Sequence, residues 1–424
     1  MSATAGINYK KSVIDALVAG FMALIVFGPI VGVVLDGYSF NAEFGKVAWM
    51  VAVVVIGRFA ISCFFQTEKG IAMAFRHANN DEGVAVRLPD HKSKLLWVVP
   101  LVIAIGLLVP FIASKYVLTV IILGLIYVLL GLGLNIVVGL AGLLDLGFVG
   151  FYAIGAYGLA LGYENLGLGF WSMLPIAALI AAMAGAILGF PVLRMHGDYL
   201  AIVTLGFGEI IRLILTNWTS LTHGPNGISA PLPTFFGLEF KRRSRDGETF
   251  HEFFNIPYDS AYKYMFIYLV LFAVVWAVLF IKHRLVKMPI GRAWEALRED
   301  EIACRSLGLN HVLVKLSAFM IGASTAGLAG VFFATYQGFV NPSSFTFFES
   351  ALILAIVVLG GMGSTLGVVI AAFCLTVLPE LLREFAEYRV LMFGILMVVM
   401  MIWKPRGIVR VTRTGFAARK GVVK

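Results

Sequence analysis

The stretch Met288-Pro-Ile-Gly-Arg-Ala-Trp-Glu-Ala-Leu-Arg-Glu-Asp-Glu-Ile-Ala-Cys-Arg-Ser-Leu-Gly-Leu-Asn310 is dense in charge and lies between two long apolar runs. Pro289 and Gly291 are typical of a helix start, and Gly308 is typical of the residue that follows a helix end. Its interior is rich in Ala, Leu, Glu and Arg, which are good helix formers. We therefore predict a water-facing helix over Arg292 to Leu307 between two membrane segments.

A helical period of 3.6 residues divides this segment into a small apolar face and a charged face. The pattern fits an amphipathic helix on the membrane surface or a helix on which another protein docks. A membrane-surface helix usually carries large apolar anchors, whereas small residues let another backbone come close, so docking is favoured. The apolar face comprises Ala293, Ala296, Leu297, Ala303, Cys304 and Leu307, and the charged face comprises Glu295, Arg298, Glu299 and Arg305.

A family resemblance supports docking. The run Glu301-Ile-Ala-Cys-Arg-Ser-Leu-Gly308 resembles the coupling loop of ABC importer permeases, which reads Glu-Ala-Ala, three residues, Gly, and sits in a groove of the cytoplasmic ATPase. Here Ile302 intervenes after the Glu, and Cys304 stands at the second Ala. The longer string from Gly291 to Gly308 resembles the branched-chain amino acid permeases, and this resemblance covers roughly Leu95 to Gly407.

The resemblance implies a permease subunit that couples ATP hydrolysis by partner subunits to uptake of leucine, isoleucine and valine across the bacterial inner membrane. The implied partners are a second permease of the same family, two cytoplasmic ATPase subunits and a periplasmic amino-acid-binding protein. ATP and Mg would bind to the ATPases, so no cofactor, metal or catalytic residue is expected in this chain. The implied coupling loop comprises Gly291, Ala293, Glu295, Ala296, Leu297, Glu301, Ala303, Cys304, Leu307 and Gly308.

The composition is that of a polytopic membrane protein. Of 424 residues, 60% are hydrophobic and only 13% are charged, unlike a soluble domain. The basic residues behind the net charge of +9 lie in short segments beside apolar runs, as in cytoplasmic loops, which argues against a nucleic-acid partner. Cys63, Cys304 and Cys374 are too far apart along the chain to suggest a metal site or a disulfide framework.

We predict an all-α integral membrane protein, a helical permease with about 10–12 membrane segments, some of them short or broken by Gly. Residues 1–94 form an N-terminal extension with two spans and a cytoplasmic loop, residues 95–404 the permease core, and residues 405–424 a basic cytoplasmic tail. The apolar runs are Ala16–Leu35, Val47–Phe65, Leu95–Ala113, Tyr116–Val138, Leu146–Tyr163, Trp171–Leu193, Tyr199–Asn217, Lys263–Ile281, Val312–Thr335, Ser350–Met362, Leu366–Leu382 and Tyr388–Trp403.

The positive-inside rule places both termini and the charged stretch in the cytoplasm. The Asn217–Tyr262 loop is then periplasmic, although it holds four basic residues at 241–245, since these lie at or beyond the rule's window of roughly 15 to 20 residues from the span ends. Within this loop, His223-Gly-Pro-Asn-Gly-Ile228 is typical of a polar turn. The candidates for contact with a binding protein are Gly224, Pro225, Asn226 and Gly227.

Two stretches, Gly131–Gly147 and Leu359–Gly367, are too rich in Gly to be ordinary spans. Gly favours either tight helix packing or a broken helix, and broken backbone at membrane depth survives only where protein or a water-filled cavity covers it. We predict that the two stretches meet around a narrow, uncharged passage suited to a zwitterion. The path candidates are Asn135, Gly139, Gly142, Thr204, Gly206, Gly361 and Gly363.

The alternative hypothesis is a free-standing secondary transporter or channel driven by an ion gradient. Such a carrier needs an unpaired acid near the membrane midplane, for which Asp145 and Glu380 are the candidates. Glu209 and Arg212 are three residues apart and are expected to pair, as are Glu301 and Arg305, which are four apart. The chain has no Gly-x-x-x-x-Gly-Lys-Ser/Thr phosphate loop, and a coupling helix has no use without an ATPase, so the importer is favoured.

Overall fold

The computed structural model describes residues 103–192, 198–235, 238–240, 249–253 and 259–381, with isolated positions elsewhere. The chain divides into two units, Met1–Asp90 with Thr414–Lys424, and His91–Arg413. In the first unit, β1 (Val33–Asp36) and β2 (Ser39–Ala42) form an antiparallel hairpin with Asp36 opposite Ser39.

The predicted first span is wrong at its end, because the last three residues of Ala16–Leu35 belong to β1. Val33 and Val34 are β-branched and favour a strand. Outside the described residues lie most of the first two predicted spans, the 66–94 loop, the basic residues at 241–245, nearly all of 388–403, the Glu380 side chain and most of the tail.

The second unit is helical, and its elements follow the apolar runs of the sequence. In the described part of the chain, nine helices correspond to nine predicted runs. In chain order the elements are α1 (Ile103–Ile112), α2 (Lys115–Leu134), a π-helix (Asn135–Leu140), α3 (Phe148–Leu166), α4 (Phe170–Val192), α5 (Asp198–Asn217), α6 (Thr219–Thr222), a 3-10 turn (Gly224–Asn226), β3 (Ile228–Ser229), β4 (Thr234–Phe235), β5 (Leu238–Glu239), α7 (Phe250–Phe253), α8 (Ala261–Lys287), α9 (Pro289–Glu299), α10 (Glu301–Ser306), α11 (His311–Gln337), β6 (Phe339–Val340), a 3-10 turn (Pro342–Ser344), α12 (Phe347–Gly360) and α13 (Thr365–Leu381).

The predicted polytopic helical class is confirmed. Among the described residues, six helical segments are long and apolar enough to cross a membrane. Both Gly-rich stretches are broken, as predicted: the first changes from α2 to a π-helix and then leaves the helical path at 141–147, and the second turns between α12 and α13. The membrane-crossing segments are Lys115–Leu140, Phe170–Phe190, Tyr199–Asn217, Ala261–Lys287, His311–Gln337 and Pro342–Gly360.

Helix α11 lies at the centre of the second unit and packs against α2, α3 and α4. Small residues permit the close approach, as is usual between membrane helices. A Cβ on Gly155 of α3 would lie 2.6 Å from the Cα of Gly327 on α11. A Cβ on Gly330 would lie 2.6 Å from the backbone nitrogen of Ala156. The core therefore depends on backbone-to-backbone contact at these crossings.

The second unit has two polar ends. At one end, the Lys115 Nζ donates a hydrogen bond to the Ser260 Oγ at 2.8 Å, which joins the starts of α2 and α8. We call this the loop end, because residues 217–260 and the β3–β6 pair connect helices there; Ile228 lies opposite Val340. Helix α8 runs to the other end, where Met288 leads directly into α9. We call this the α9 end.

Replacing Gly155 with Ala is expected to destabilise the bundle by about 1–3 kcal/mol, because the new methyl group would overlap the Gly327 backbone. Gly158→Ala on the same helix is the matched control, since its Cβ would lie 3.7 Å from that of Ala177, an ordinary contact. Thermal unfolding of the detergent-solubilised protein measures both variants. Equal melting temperatures would contradict the close crossing.

Candidate functional site

The charged stretch at the α9 end forms two helices, so the predicted single helix over Arg292–Leu307 is wrong. The break lies at Asp300, which has an extended backbone with φ −155° and ψ 108°. Its Oδ1 accepts hydrogen bonds from the backbone N–H groups of Ile302 at 2.8 Å and Ala303 at 3.0 Å. An Asp that caps a new helix in this way interrupts the old one. The predicted stop is confirmed, with Gly308 at φ +80°.

Helix α9 is anchored to the bundle through its apolar face. Trp294 is fully buried, and its Nε1 donates to the Val314 carbonyl at 3.1 Å and to the Ser317 Oγ at 3.0 Å, both on α11. Leu297 is buried on the same face. A Cβ on Gly291 would lie 2.5 Å from the Cα of Val286, so Gly permits the sharp entry from α8. This face is occupied by the protein itself and is not available to a membrane surface.

The predicted division into one small face and one charged face is also wrong, because the break interrupts the helical period. Leu297 and Cys304 are buried, whereas Ala296, Ala303 and Leu307 are exposed and Ala293, Glu295 and Glu301 are half-buried. Arg298 was placed on the solvent face, but its Nη1 donates to the Gly139 carbonyl inside the unit.

An exposed apolar patch remains on α10 and the residue that follows it. Ile302 is 77% exposed and Leu307 is 81% exposed, with Ala303 exposed between them. The sequence analysis gave Ile302 no role. Had Asp300 been recognised as the cap of a new helix, Ile302 would have been predicted on the solvent side of that helix. We name Ile302, Ala303 and Leu307 the α10 patch. Large apolar side chains exposed near one another in the sequence, at a polar end of a bundle, are a candidate interaction site.

Ion pairs hold α10 on the bundle. The predicted pair of Glu301 and Arg305 is confirmed at 2.6 Å. The sequence did not indicate the second partner, Lys315 of α11, whose Nζ lies 2.7 Å from the Glu301 Oε2 and whose side chain is only 4% exposed. Partial burial alone raises the pKa of Glu301, but the hydrogen bonds and charges of Lys315 and Arg305 outweigh it and hold that pKa below its usual value.

The two Gly-rich breaks meet at Asn135, the first residue of the π-helix. Asn135 is fully buried; its Nδ2 donates to the Ser364 carbonyl at 3.1 Å, and its Oδ1 accepts from the Gly363 N–H at 2.7 Å. A Cβ on Gly139 would lie 2.5 Å from the Gly363 nitrogen. The predicted convergence of the stretches is therefore confirmed. Gly361 at φ +101° and Gly363 at φ +91° form the turn between α12 and α13.

The remaining path candidates lie apart from that contact. Thr204 of α5 is fully buried; its Oγ1 accepts from the Leu146 N–H at 3.0 Å and donates to the Ala201 carbonyl at 3.1 Å. A Cβ built on Gly206 would have open space around it, apart from the backbone of its own helix. Gly142, with φ +73°, lies against the side chain of Arg298. That these residues line a passage stays a prediction.

Asp145 lies in the break before α3. It is buried, and its Oδ1 accepts a hydrogen bond from the Gly147 N–H at 2.9 Å. Burial raises the pKa of this carboxyl to about 6, and the bond from Gly147 acts in the opposite direction. Its Oδ1 therefore bonds to the backbone that starts α3, whereas its buried Oδ2 has no hydrogen-bond partner among the described residues. The predicted pair of Glu209 and Arg212 is confirmed, with their charged atoms 2.8 Å apart.

At the loop end, the predicted polar turn after α5 is confirmed. Residues Gly224–Asn226 form a 3-10 turn, and His223 before it has the left-handed φ of 55°. The carbonyl of Pro225 accepts a hydrogen bond from the Asn341 Nδ2 at 3.3 Å. This contact, with the β3–β6 pair, ties the loop to the connection between α11 and α12. Of the four contact candidates, Pro225 and Asn226 are therefore exposed on a turn fixed to two helices, whereas Gly224 and Gly227 are buried within it.

Comparison with known proteins agrees with this architecture. Residues 116–403 match the family described as the permease component of branched-chain amino acid transport systems. The chain belongs to this family. Residues 11–109 match a second family, described as a domain of unknown function. No solved structure matches this permease.

Three relatives illustrate the range of similarity. The permease is 57% identical over 336 residues to the high-affinity branched-chain amino acid transport system permease protein LivM of Escherichia coli K12, covering 78% of this chain and 79% of the relative. It is 50% identical over 418 residues to LivM of Salmonella typhimurium LT2, covering 96% and 97%. It is 26% identical over 302 residues to the permease protein LivH of Escherichia coli K12, covering 68% and 92%.

Glu301→Ala is expected to destabilise the attachment of α10 by about 3–5 kcal/mol, because it leaves the buried Lys315 ammonium without its carboxylate. Arg305→Ala, the matched control, removes an exposed partner and should cost at most about 1 kcal/mol. Hydrogen exchange of the amides at 302–307 measures the attachment. Equal exchange in both variants would contradict the role of Lys315.

The same measurement has an expected pH dependence. The pKa of Glu301 is depressed in the folded state, so its stabilisation is fully present above the unfolded value of about 4.3 and is lost as the pH falls through the folded value. Faster exchange of these amides on acidification, after correction for intrinsic rates, is the expected result. Glu301→Ala should lack this dependence.

Proposed function

We propose that this permease is the membrane subunit of an ATP-driven importer for branched-chain amino acids. Its family and the names of its relatives support that substrate class. The observation that carries the coupling role is the α10 patch. Its apolar side chains are exposed at a polar end of the bundle, on a short helix whose opposite side is fixed by Glu301 to Lys315.

The mixed charge around the patch favours a protein over a membrane surface. Helices α9 and α10 with their junction carry four acids and three arginines, whereas a helix on an anionic membrane surface has a mostly basic polar face. Trp294, the largest apolar side chain of the segment, is already buried against α11. We infer that the α10 patch enters a groove of a cytoplasmic ATPase, with Ala303 at its centre.

The proposal implies the other parts of a transport complex. Two ATPase subunits bind ATP and Mg, so this chain needs no cofactor of its own. A second permease of the same family completes the pathway, and LivH is a relative of that kind. A periplasmic amino-acid-binding protein contacts the loop end near Asn226. The chain then lies in the bacterial inner membrane, with the α9 end and both termini in the cytoplasm.

The free-standing carrier receives less support from the described residues. Its candidate acid Asp145 accepts a hydrogen bond from the backbone at the start of α3, which is the role of a helix-end group. Glu209 is paired with Arg212. A driving ion would need a carboxylate that can exchange its partner during transport. Uptake by the purified permease alone in liposomes would contradict the importer.

Ala303→Trp is expected to abolish ATP-driven uptake while leaving the protein inserted, because an indole at an exposed small residue would hold the ATPase groove away. Lys287→Trp, at an exposed position at the end of α8, is the control. Leucine uptake and co-purification of the ATPase in mild detergent are the measurements. Normal uptake from a well-expressed Ala303→Trp variant would count against docking.

Cysteines placed at Asn226 and at Leu307, in a background with the three native cysteines replaced, should differ in labelling by an impermeant thiol reagent. The two residues lie at opposite ends of the second unit, and we place the loop end in the periplasm. Only the cysteine at 226 is expected to react in intact spheroplasts, and both should react after permeabilisation. Labelling of only 307 from outside would invert the orientation.

A further inference from the structure

The backbone after the π-helix donates to its earlier carbonyls: the Ala141 N–H to Ile136 and the Leu143 N–H to Val137. A helix leaves its last carbonyls without intrahelical donors, and the π-helix ends at Leu140. The Nη1 of Arg298 donates a hydrogen bond to the carbonyl of Gly139 from a different element, α9. A cation at a helix C-terminus also meets the negative end of the helix dipole. Arg298 therefore caps the π-helix from outside.

The stem of Arg298 adds a second contact with the same break. Its Cγ would lie 2.7 Å from a Cβ built on Gly142, a residue with φ +73°. A side chain at 142 would thus be strained and would also meet the arginine. The Gly139 carbonyl binds the Arg298 guanidinium, and Gly142 leaves room for the aliphatic part of the side chain. Helix α9 and the end of the π-helix are therefore in direct contact.

Gly139 contacts α9 on one side and the second Gly-rich break on the other. Its carbonyl accepts from Arg298, while its Cα side lies against the Asn135 amide and the Gly363 nitrogen. The same Asn135 amide bonds to Gly363 and to Ser364 in the second break. A continuous chain of contacts therefore runs from α9 through the π-helix to the turn between α12 and α13.

The elements along this series of contacts differ in how firmly they are held. Trp294 fixes α9 to α11 through two hydrogen bonds, so α9 and the start of α11 form one rigid body. The π-helix, with one extra residue per turn, is an irregular form that often marks functional positions within helices. Displacement of the firm part is thus transmitted to the irregular part at Arg298.

We propose that Arg298 is the positioning residue through which α9, displaced by an ATPase docked on the α10 patch, holds and moves the π-helical end of α2 and, through Asn135, the turn between α12 and α13. This inference rests on the proposed function, because it requires an ATPase that displaces α9. The α10 patch then serves attachment, and Arg298 serves transmission. The two roles are separable by mutation.

The test compares leucine uptake per ATP hydrolysed in liposomes that hold the complete complex with its ATPases, second permease and binding protein. Arg298→Ala should leave co-purification of the ATPase and ATP hydrolysis close to those of the unmodified complex. Uptake per ATP should fall by about tenfold, the factor that one hydrogen bond to a charged group typically controls. Arg284→Ala, an exposed arginine at the end of α8, is the matched control and should leave the ratio unchanged.

Arg298→Lys keeps a charged donor but has only a single ammonium, so it should restore the ratio in part. An unchanged ratio in Arg298→Ala would overturn the proposal, as would loss of the ATPase from both variants, which would make Arg298 a docking or folding residue. If Arg298→Ala alone fails to assemble, a reduced ratio in Arg298→Lys supports the proposal and an unchanged ratio overturns it. Absence of uptake by the unmodified complex would count against the proposed function instead.

Discussion

Backbone that leaves the helical path inside a membrane protein must find its hydrogen bonds within the protein. In this permease a side-chain amide from one break supplies hydrogen bonds to the backbone of the other. Asn135 begins the π-helix, and it satisfies a donor and an acceptor of the turn at Gly363 and Ser364. These two groups of the second break therefore need no water molecule as a partner. The arrangement also requires Gly139, because any side chain there would overlap the amide.

Much of this fold could be predicted from short-range patterns. Long apolar runs predicted nine helices of the second unit, because lipid and core both require continuous apolar surface. The Gly-rich stretches predicted the breaks. The pairs Glu209–Arg212 and Glu301–Arg305 followed from helical spacing alone. In each case the decisive information lies within a few residues of sequence.

The features that were missed depend on contacts between distant residues or on competition between local signals. Lys315 lies on α11 and Glu301 on α10, so helical spacing within one element does not relate them. Helical spacing places Arg298 on the charged face, but its side chain points into the bundle, where it donates a hydrogen bond to the Gly139 carbonyl. Gly139 lies on a distant part of the chain. Asp300 could have been recognised as a cap, but the helix-forming residues around it predicted continuity. That Asn135 lines a path stays a prediction, and the sequence did not indicate that its amide bonds to the backbone of residues 363 and 364.

The end of α12 shows a further consequence for how the chain assembles. The carbonyls of Leu359 and Gly360 accept hydrogen bonds from the backbone N–H groups of Ile408 at 2.8 Å and Val409 at 3.3 Å. A Cβ on Gly407 would lie 2.5 Å from the Gly361 nitrogen, so the two segments touch at glycine. During synthesis, α12 therefore leaves the ribosome before its last two carbonyls have their partners. The junction is completed only after almost fifty more residues have been translated, which makes it one of the last parts of the permease to become native.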